Sequence, residues 1–329
     1  MAYTTIDDPS AYFQTTLYTG DGSTSHAITN GGNSDLQADW LWIKSRSSTE
    51  QHFAFDSVRG QSKYIFPNAA NAEGTASTGI LNSFNSDGFT LGNNDGVNAN
   101  SETFVAWQWK KVAGVFDIQT YSGASNTRTI SHNLGVVPKA MIFKRLDDGA
   151  WIVYHADAGG ADKYLVLNTN AAVDTATTLF NNTVPTSSVF SVGNTNSTNG
   201  SGIDYVVYLI GNKQGVSKCG SYTGNGNANG PYIHLGFKPA FVMAKKSSGT
   251  EDWSITDNKM NTFNVCNNKL RPNSTSQEST GNAHIDFTAQ GFKWRSTSGE
   301  FNASGSTYIY MAFAENPFVT SSGVPATAR

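Results

Sequence analysis

A Tyr-[Ser/Thr]-Gly motif recurs as Tyr18-Thr19-Gly20, Tyr121-Ser122-Gly123 and Tyr222-Thr223-Gly224, at offsets of 103 and 101 residues. Other segments recur with it. Each start is followed by an apolar run closed by a basic residue: Trp40-Leu41-Trp42-Ile43-Lys44, Ala140-Met141-Ile142-Phe143-Lys144 and Phe241-Val242-Met243-Ala244-Lys245. A turn then leads to His52-Phe53-Ala54-Phe55-Asp56, Trp151-Ile152-Val153-Tyr154-His155 and Trp253-Ser254-Ile255-Thr256-Asp257. Next come Gly88-Phe89-Thr90-Leu91-Gly92, Val189-Phe190-Ser191-Val192-Gly193 and Gly291-Phe292-Lys293-Trp294. Each unit closes on an aromatic-rich segment, the three starting at Phe104, Tyr205 and Tyr308. Anchors repeated in one order at one spacing mark an internally repeated chain, and that constrains the fold more than any single motif.

The repeated segments are rich in Val, Ile, Tyr, Phe and Trp, and Gly, Asn, Asp and Ser clusters separate them, which is strand and turn chemistry. No long stretch carries a helical period. The runs Trp40 to Ile43 and Tyr205 to Ile210 are nearly continuous in apolar residues, as in strands covered on both faces. The period exceeds that of a propeller blade or solenoid turn and matches a whole β-sandwich. The fold expected is all-β, with three tandem β-sandwich-like repeats of about 100 residues each. The expected boundaries are an N-terminal arm at 1–17, repeats at 18–111, 112–213 and 214–318, and a C-terminal tail at 319–329. Short glycine-ended joints at Lys110–Gly114 and Gly211–Gly215 favour packed neighbours over independent beads.

Only 14% of residues are charged, against about 25% in ordinary soluble chains, and no dense basic run is present. Nucleic acid is therefore not an expected partner. No apolar run reaches the ~20 residues that span a bilayer, and the opening residues lack the pattern of a secretory signal, so a soluble protein made in a cytoplasm is expected. Cys219 and Cys266 lack metal-ligand spacing and read as small buried hydrophobes.

Chemistry-bearing constellations are sparse. No two of the six histidines have metal-site spacing, and Gly20-Asp21-Gly22 and Asn93-Asn94-Asp95-Gly96 read as turns rather than calcium loops. Asp56 and Asp257 occupy matching positions, which favours a turn or ion-pair role, Asp56 with Arg59, over a glycosidase pair. No enzyme activity, cofactor or metal is expected. Trp151 and Trp253 could stack on sugars, but their strand context favours core packing. The candidate ligand-binding residues are Lys44 with Arg46, Lys144 with Arg145, and Lys245 with Lys246, at the end of one strand in each unit. Solvated strand termini or stems covering apolar surface are the plain alternative to a glycan or anion contact there.

Several stretches together resemble the repeat domains of tail-fibre and virion-surface proteins of marine tailed bacteriophages. They are Tyr18-Thr19-Gly20-Asp21-Gly22-Ser23-Thr24, Trp40 to Arg46, Phe55-Asp56-Ser57-Val58-Arg59-Gly60, Asn85 to Gly92, Val105-Ala106-Trp107-Gln108-Trp109, Gly236 to Val242 and Tyr308 to Phe318. The middle unit, with His155 where the others have Asp, departs most. The resemblance implies a non-enzymatic structural protein on the virion exterior, assembled in the host cytoplasm as a homo-oligomer. It would contact other virion proteins of the tail, fibre or capsid and present loops to host surface glycans. A capsid decoration or knob protein, and a carbohydrate-binding module or carbohydrate-active enzyme, are the alternative expectations.

Overall fold

The computed structural model describes residues 4–76, 78–281 and 284–327; residues 1–3 of the expected arm and 328–329 of the expected tail lie outside them. The chain is nearly all β, at 40% strand and 4% helix, in several antiparallel sheets. A four-strand arrangement recurs three times. In the first unit an opening strand (Phe13–Thr19) pairs with a closing strand (Thr103–Trp109). That strand pairs in turn with the first strand of a hairpin (Trp40–Ser45), whose second strand is Phe53–Asp56. The second unit uses Phe116–Ser122, Asp204–Ile210, Ala140–Arg145 and Trp151–His155 in the same order. The third uses Ser217–Thr223, Thr307–Pro317, Phe237–Lys246 and Ser254–Asp257. A smaller antiparallel sheet accompanies each, formed by His26–Ile28, Leu81–Phe84 and Phe89–Leu91, by Arg128–Ser131 and Val189–Val192, and by Tyr232–His234, Ile285–Thr288 and Gly291–Trp294. The first opening strand already begins at Phe13, inside the segment expected as an arm.

Strand alternation divides each main sheet between two cores. Leu41, Ile43, Phe53, Phe55, Phe104 and Ala106 pack within the first unit, together with Phe89 and Leu91 of its smaller sheet. Met141, Phe143, Tyr154, Val207 and Leu209 do so in the second unit, and Val242, Ala244, Tyr310 and Ala312 in the third. The intervening residues meet in one common core: Trp40, Trp42, Trp107 and Trp109 from the first unit, Ile142, Trp151 and Tyr208 from the second, and Phe241, Met243, Met311 and Phe313 from the third. Trp40 stacks on Tyr208 at 4.3 Å between ring centroids, and Phe13 lies 5.5 Å from Phe241 and 5.1 Å from Phe313. Each β-sandwich-like unit thus covers one face of its main sheet by itself. The other faces, too apolar for solvent, are buried against both neighbours.

Backbone bonds close the three units into a ring. Glu73 N–H donates to Leu146 O, Val173 N–H to Ser247 O, and Glu278 N–H to Arg46 O, each at 2.8 or 2.9 Å. The loop of one unit therefore holds the hairpin turn of the next, and the third unit holds the first in the same way. One cooperative unfolding transition is expected by both fluorescence and far-UV circular dichroism. Phe241→Ala, which opens a cavity between the third and first units, should lower stability by about 3–5 kcal/mol and shift both signals together in a urea titration. Separate transitions for separate units would contradict a common core.

Candidate binding surface at the loop end

Strand register gives the ring two ends. At one end lie Phe13, Trp109, Trp40 and Asp56, with their counterparts Phe116, Ile210, Ala140 and His155, and Ser217, Phe313, Phe241 and Asp257. Both inter-unit joints fall there, through the bridges Val112–Phe116 and Lys213–Ser217. So do the described ends of the chain. The Thr4 hydroxyl donates to Gln214 O at 3.1 Å, and the Asp7 carboxylate accepts from the Ser321 N–H and hydroxyl at 2.5 Å each. At the opposite end the Tyr-[Ser/Thr]-Gly turns, the hairpin turns and the starts of the closing strands come together.

The motif at that end has a physical basis in all three units. Tyr18 stacks on Phe104 at 5.2 Å, Tyr121 on Tyr205 at 5.1 Å, and Tyr222 on Tyr308 at 4.9 Å. The three hydroxyls donate to Val97 O, Thr198 O and Phe301 O. A Cβ on Gly20, Gly123 or Gly224 would sit 2.1, 2.0 or 2.3 Å from a carbonyl oxygen, so only glycine fits. Sequence reasoning missed the next residue of this corner, Asn98, Asn199 and Asn302, all fully buried. Each side chain ties a turn to the body. Asn98 donates to Asp21, Ser23 O and Gly92 O, and Asn302 donates to Asn225, Asn227 O and Ser296 O. Their recurrence at the unit spacing was the available signal. The outer residues of the turns, among them Thr24, Asn126 and Asn229, are exposed.

The six sequence-predicted ligand residues lie at this end but do not converge. Lys44, Lys144 and Lys245 are fully buried, which departs from the expectation of solvated strand termini. Lys44 Nζ donates to Ser45 O and Ser48 O at 2.7 and 2.9 Å, and Lys245 Nζ to Lys246 O and Gly249 O at 2.5 and 3.1 Å. Lys144 Nζ donates to Arg145 O, Asp147 O and Gly149 O, and across the unit boundary to Ala70 O at 3.2 Å. Burial pulls each ammonium down to about 8. The three lysines thus clamp hairpin turns from within, and their protons face carbonyl oxygens rather than an outside anion. Arg46 pairs with Glu278 of the third unit at 2.6 Å, and Arg145 with Asp147 at 2.5 Å. Lys246 is partly exposed. Lys144→Met, which strips a donor from several turn carbonyls, should cost about 2 kcal/mol or more, whereas Arg145→Ala, breaking a surface pair, should cost under about 1 kcal/mol; thermal melts compare them.

Other singled-out side chains serve the unit boundaries. Trp151 and Trp253 are fully buried and donate to Phe66 O and Val166 O of the preceding unit, at 2.9 and 3.0 Å. His52 takes the matching place. It accepts from Trp42 Nε1 at 2.9 Å, and its Nε2 faces Arg271 O and Ser274 O of the third unit at 3.0 and 3.1 Å. Asp56 accepts from Arg59 at 2.6 Å, as the sequence suggested, and also from the Tyr208 hydroxyl at 2.8 Å. Asp257 accepts from Trp107 Nε1 at 2.9 Å and from the Lys259 and Met260 N–H groups of its turn. In the second unit the corresponding partner would be Met311, which has no proton to give. His155 stands there instead of Asp, with Nε2 on Tyr310 O at 3.1 Å. Replacing a carboxylate that would lack a donor with a group that donates to a carbonyl explains that departure.

Both buried histidines are held neutral, His52 at about 3 and His155 at about 4, burial being the main cause. Their folded values lie below the unfolded one, so the stability they contribute is complete above pH ~6.5 and falls as pH drops toward 4, by about 1.4 kcal/mol per pH unit for each once well below 6.5. Burial raises the Asp257 carboxyl, which acts in the opposite sense, its contribution growing as pH falls. Urea midpoints measured at pH 7 and 5 should fall with acid, and less so in His155→Asn; equal acid sensitivity in that variant would show that His155 is not responsible.

Among the described residues no helix is long and apolar enough to cross a membrane, and no group of three or more His, Cys, Asp or Glu side chains could hold a metal ion. The chain belongs to the family defined by a domain of unknown function, DUF7483, whose model matches residues 8–317 and so runs through all three units. No curated protein is detectably similar to it.

Proposed function

We propose that this chain is a non-enzymatic structural protein on the exterior of a tailed bacteriophage, three β-sandwich repeats drawn round one core, whose loop end recognises host surface glycans. The observation that carries this reading is the separation of the two ends. The described chain ends and the joints gather at one end of the ring, where attachment to tail, fibre or capsid proteins leaves the other end free. That free end is made of polar turns braced from beneath by buried asparagines and lysines, so their exposed residues can vary without disturbing the sheets. Polar, hydroxyl- and amide-rich turns on a rigid scaffold suit ligands that bind through hydrogen bonds.

Glycan-array binding by the purified chain tests the reading. Signal is expected, and it should disappear in Thr24→Glu/Asn126→Glu/Asn229→Glu, whose melting temperature should match the parent within a few degrees, while Val58→Ser at the far end leaves it intact. No array signal, or a signal indifferent to the three turn substitutions, would refute glycan recognition by the loop end. Localisation of the chain in a map of intact particles with its joint end outward would refute the proposed orientation.

A further inference from the structure

The third unit departs from the other two at one place on this loop end. Antiparallel bridges Ala54–Ile65 and Ile255–Leu270, and the pairing Val153–Leu165, put corresponding residues beside each hairpin. In the first unit the outward neighbours are Phe53, Tyr64 and Phe66, an aromatic cluster with centroids 5.0 to 5.7 Å apart. In the second they are Ile152, Tyr164 and Val166, packed into that unit's core. The third unit has Ser254, Lys269 and Arg271. A cleft of about 450 Å³ opens there, lined by Lys269, Arg271, Arg295, Ser298 and Glu300 among others. That volume is within the roughly 300–1,000 Å³ usual for small-molecule sites.

The cleft sets the buried side chains of Lys269 and Glu300 beside the more exposed Arg271 and Arg295. The Lys269 side chain is 1% exposed; its ammonium pairs with Glu300 and lies 4.8 Å over the Phe301 ring. Arg271 pairs with Asp252 and Arg295 with Asp286, both at 2.9 Å. Exchanging an aromatic cluster for buried ions costs stability unless the polar groups are fully satisfied. Here they are not: among the described residues, Glu300 Oε1 on the cleft wall is a buried acceptor without a donor. The charges of Lys269, Arg271 and Arg295 are balanced by those of Asp252, Asp286 and Glu300. An anion would meet the open carboxylate oxygen of Glu300, and a cation would meet an ammonium and two guanidinium groups. A neutral polyol can satisfy both kinds of group, because each hydroxyl donates and accepts.

We propose that this cleft is a binding site for a neutral saccharide, with Glu300 accepting from a ring hydroxyl and Lys269 and Arg271 donating to others. This names the ligand class for one place on the loop end, and rests on the reading above only for the glycan's origin on a host surface.

The test is an NMR titration of the full chain with galactose, glucose and mannose, alongside glucuronate and glucose 6-phosphate. Saturable shifts at the amides of 269–271 and 295–300 are expected with a neutral sugar and not with the acidic ones. Glu300→Gln should weaken the binding about tenfold or more. Ser254→Phe/Lys269→Tyr/Arg271→Phe, which rebuilds the first unit's aromatic cluster, should abolish it without lowering the melting temperature. No shift with any neutral sugar, a preference for an acidic one, or unchanged binding in Glu300→Gln would each overturn the site. If array binding by the parent chain persists in those cases, the loop-end reading survives without the cleft; if array binding is also absent, both fall.

Discussion

The apolar faces of the main sheets that point away from each unit's own smaller sheet impose the largest constraint on this molecule. A strand presents alternate residues to opposite sides, so Trp40 and Trp42 point one way while Leu41 and Ile43 point the other, all fully buried. Leu41 and Ile43 are covered from within their unit. The tryptophans can be covered only by another unit, and the same holds for Ile142 and Tyr208 and for Met243 and Met311. Exposing one such set would leave an apolar surface far larger than soluble proteins tolerate. The three units are thus interdependent, in keeping with a family model that runs across all of them.

The polar contacts at the boundaries follow from that burial. Indole and imidazole groups carried into the common core bring N–H donors with them, and most reach a carbonyl or carboxylate of the neighbouring unit. Asn68, Asn168 and Asn273 accept from the backbone N–H of His52, Trp151 and Trp253 at 2.9 to 3.0 Å, fixing the start of each second hairpin strand where the side chain enters the boundary. Lys144, reaching Ala70 O, links a clamp within one unit to the next.

Much of the strand content and the repetition was legible in the sequence, because offsets and alternation are local properties. Burial of Trp40 to Ile43 and of Tyr205 to Ile210 on both faces could be read from their unbroken apolarity. Which neighbour covers each face could not, since a two-residue period says only that the faces differ. The lysines misled for a related reason. A basic residue closing an apolar strand suggests a solvated end, but Lys44 continues the inward series of Trp40 and Trp42, and its head returns to its own turn. Asp56 with Arg59 was readable because the partners are close in sequence, whereas Tyr208 and Asp56 meet only in the folded ring. The cleft of the third unit was hidden behind Lys269 and Arg271, which look like ordinary surface charges until their counterparts Tyr64 and Phe66 are placed beside them.

His155 and Met311 show that each boundary of the ring has its own matched pair of side chains. In an assembly of three identical chains every substitution would be imposed three times, and a solution suited to one boundary would have to suit all. Joining the units in a single polypeptide removes that symmetry. Two copies can keep well-packed flanks while one gives up aromatic packing for polar groups, so the scaffold can acquire a new specificity at the energetic cost of a single site.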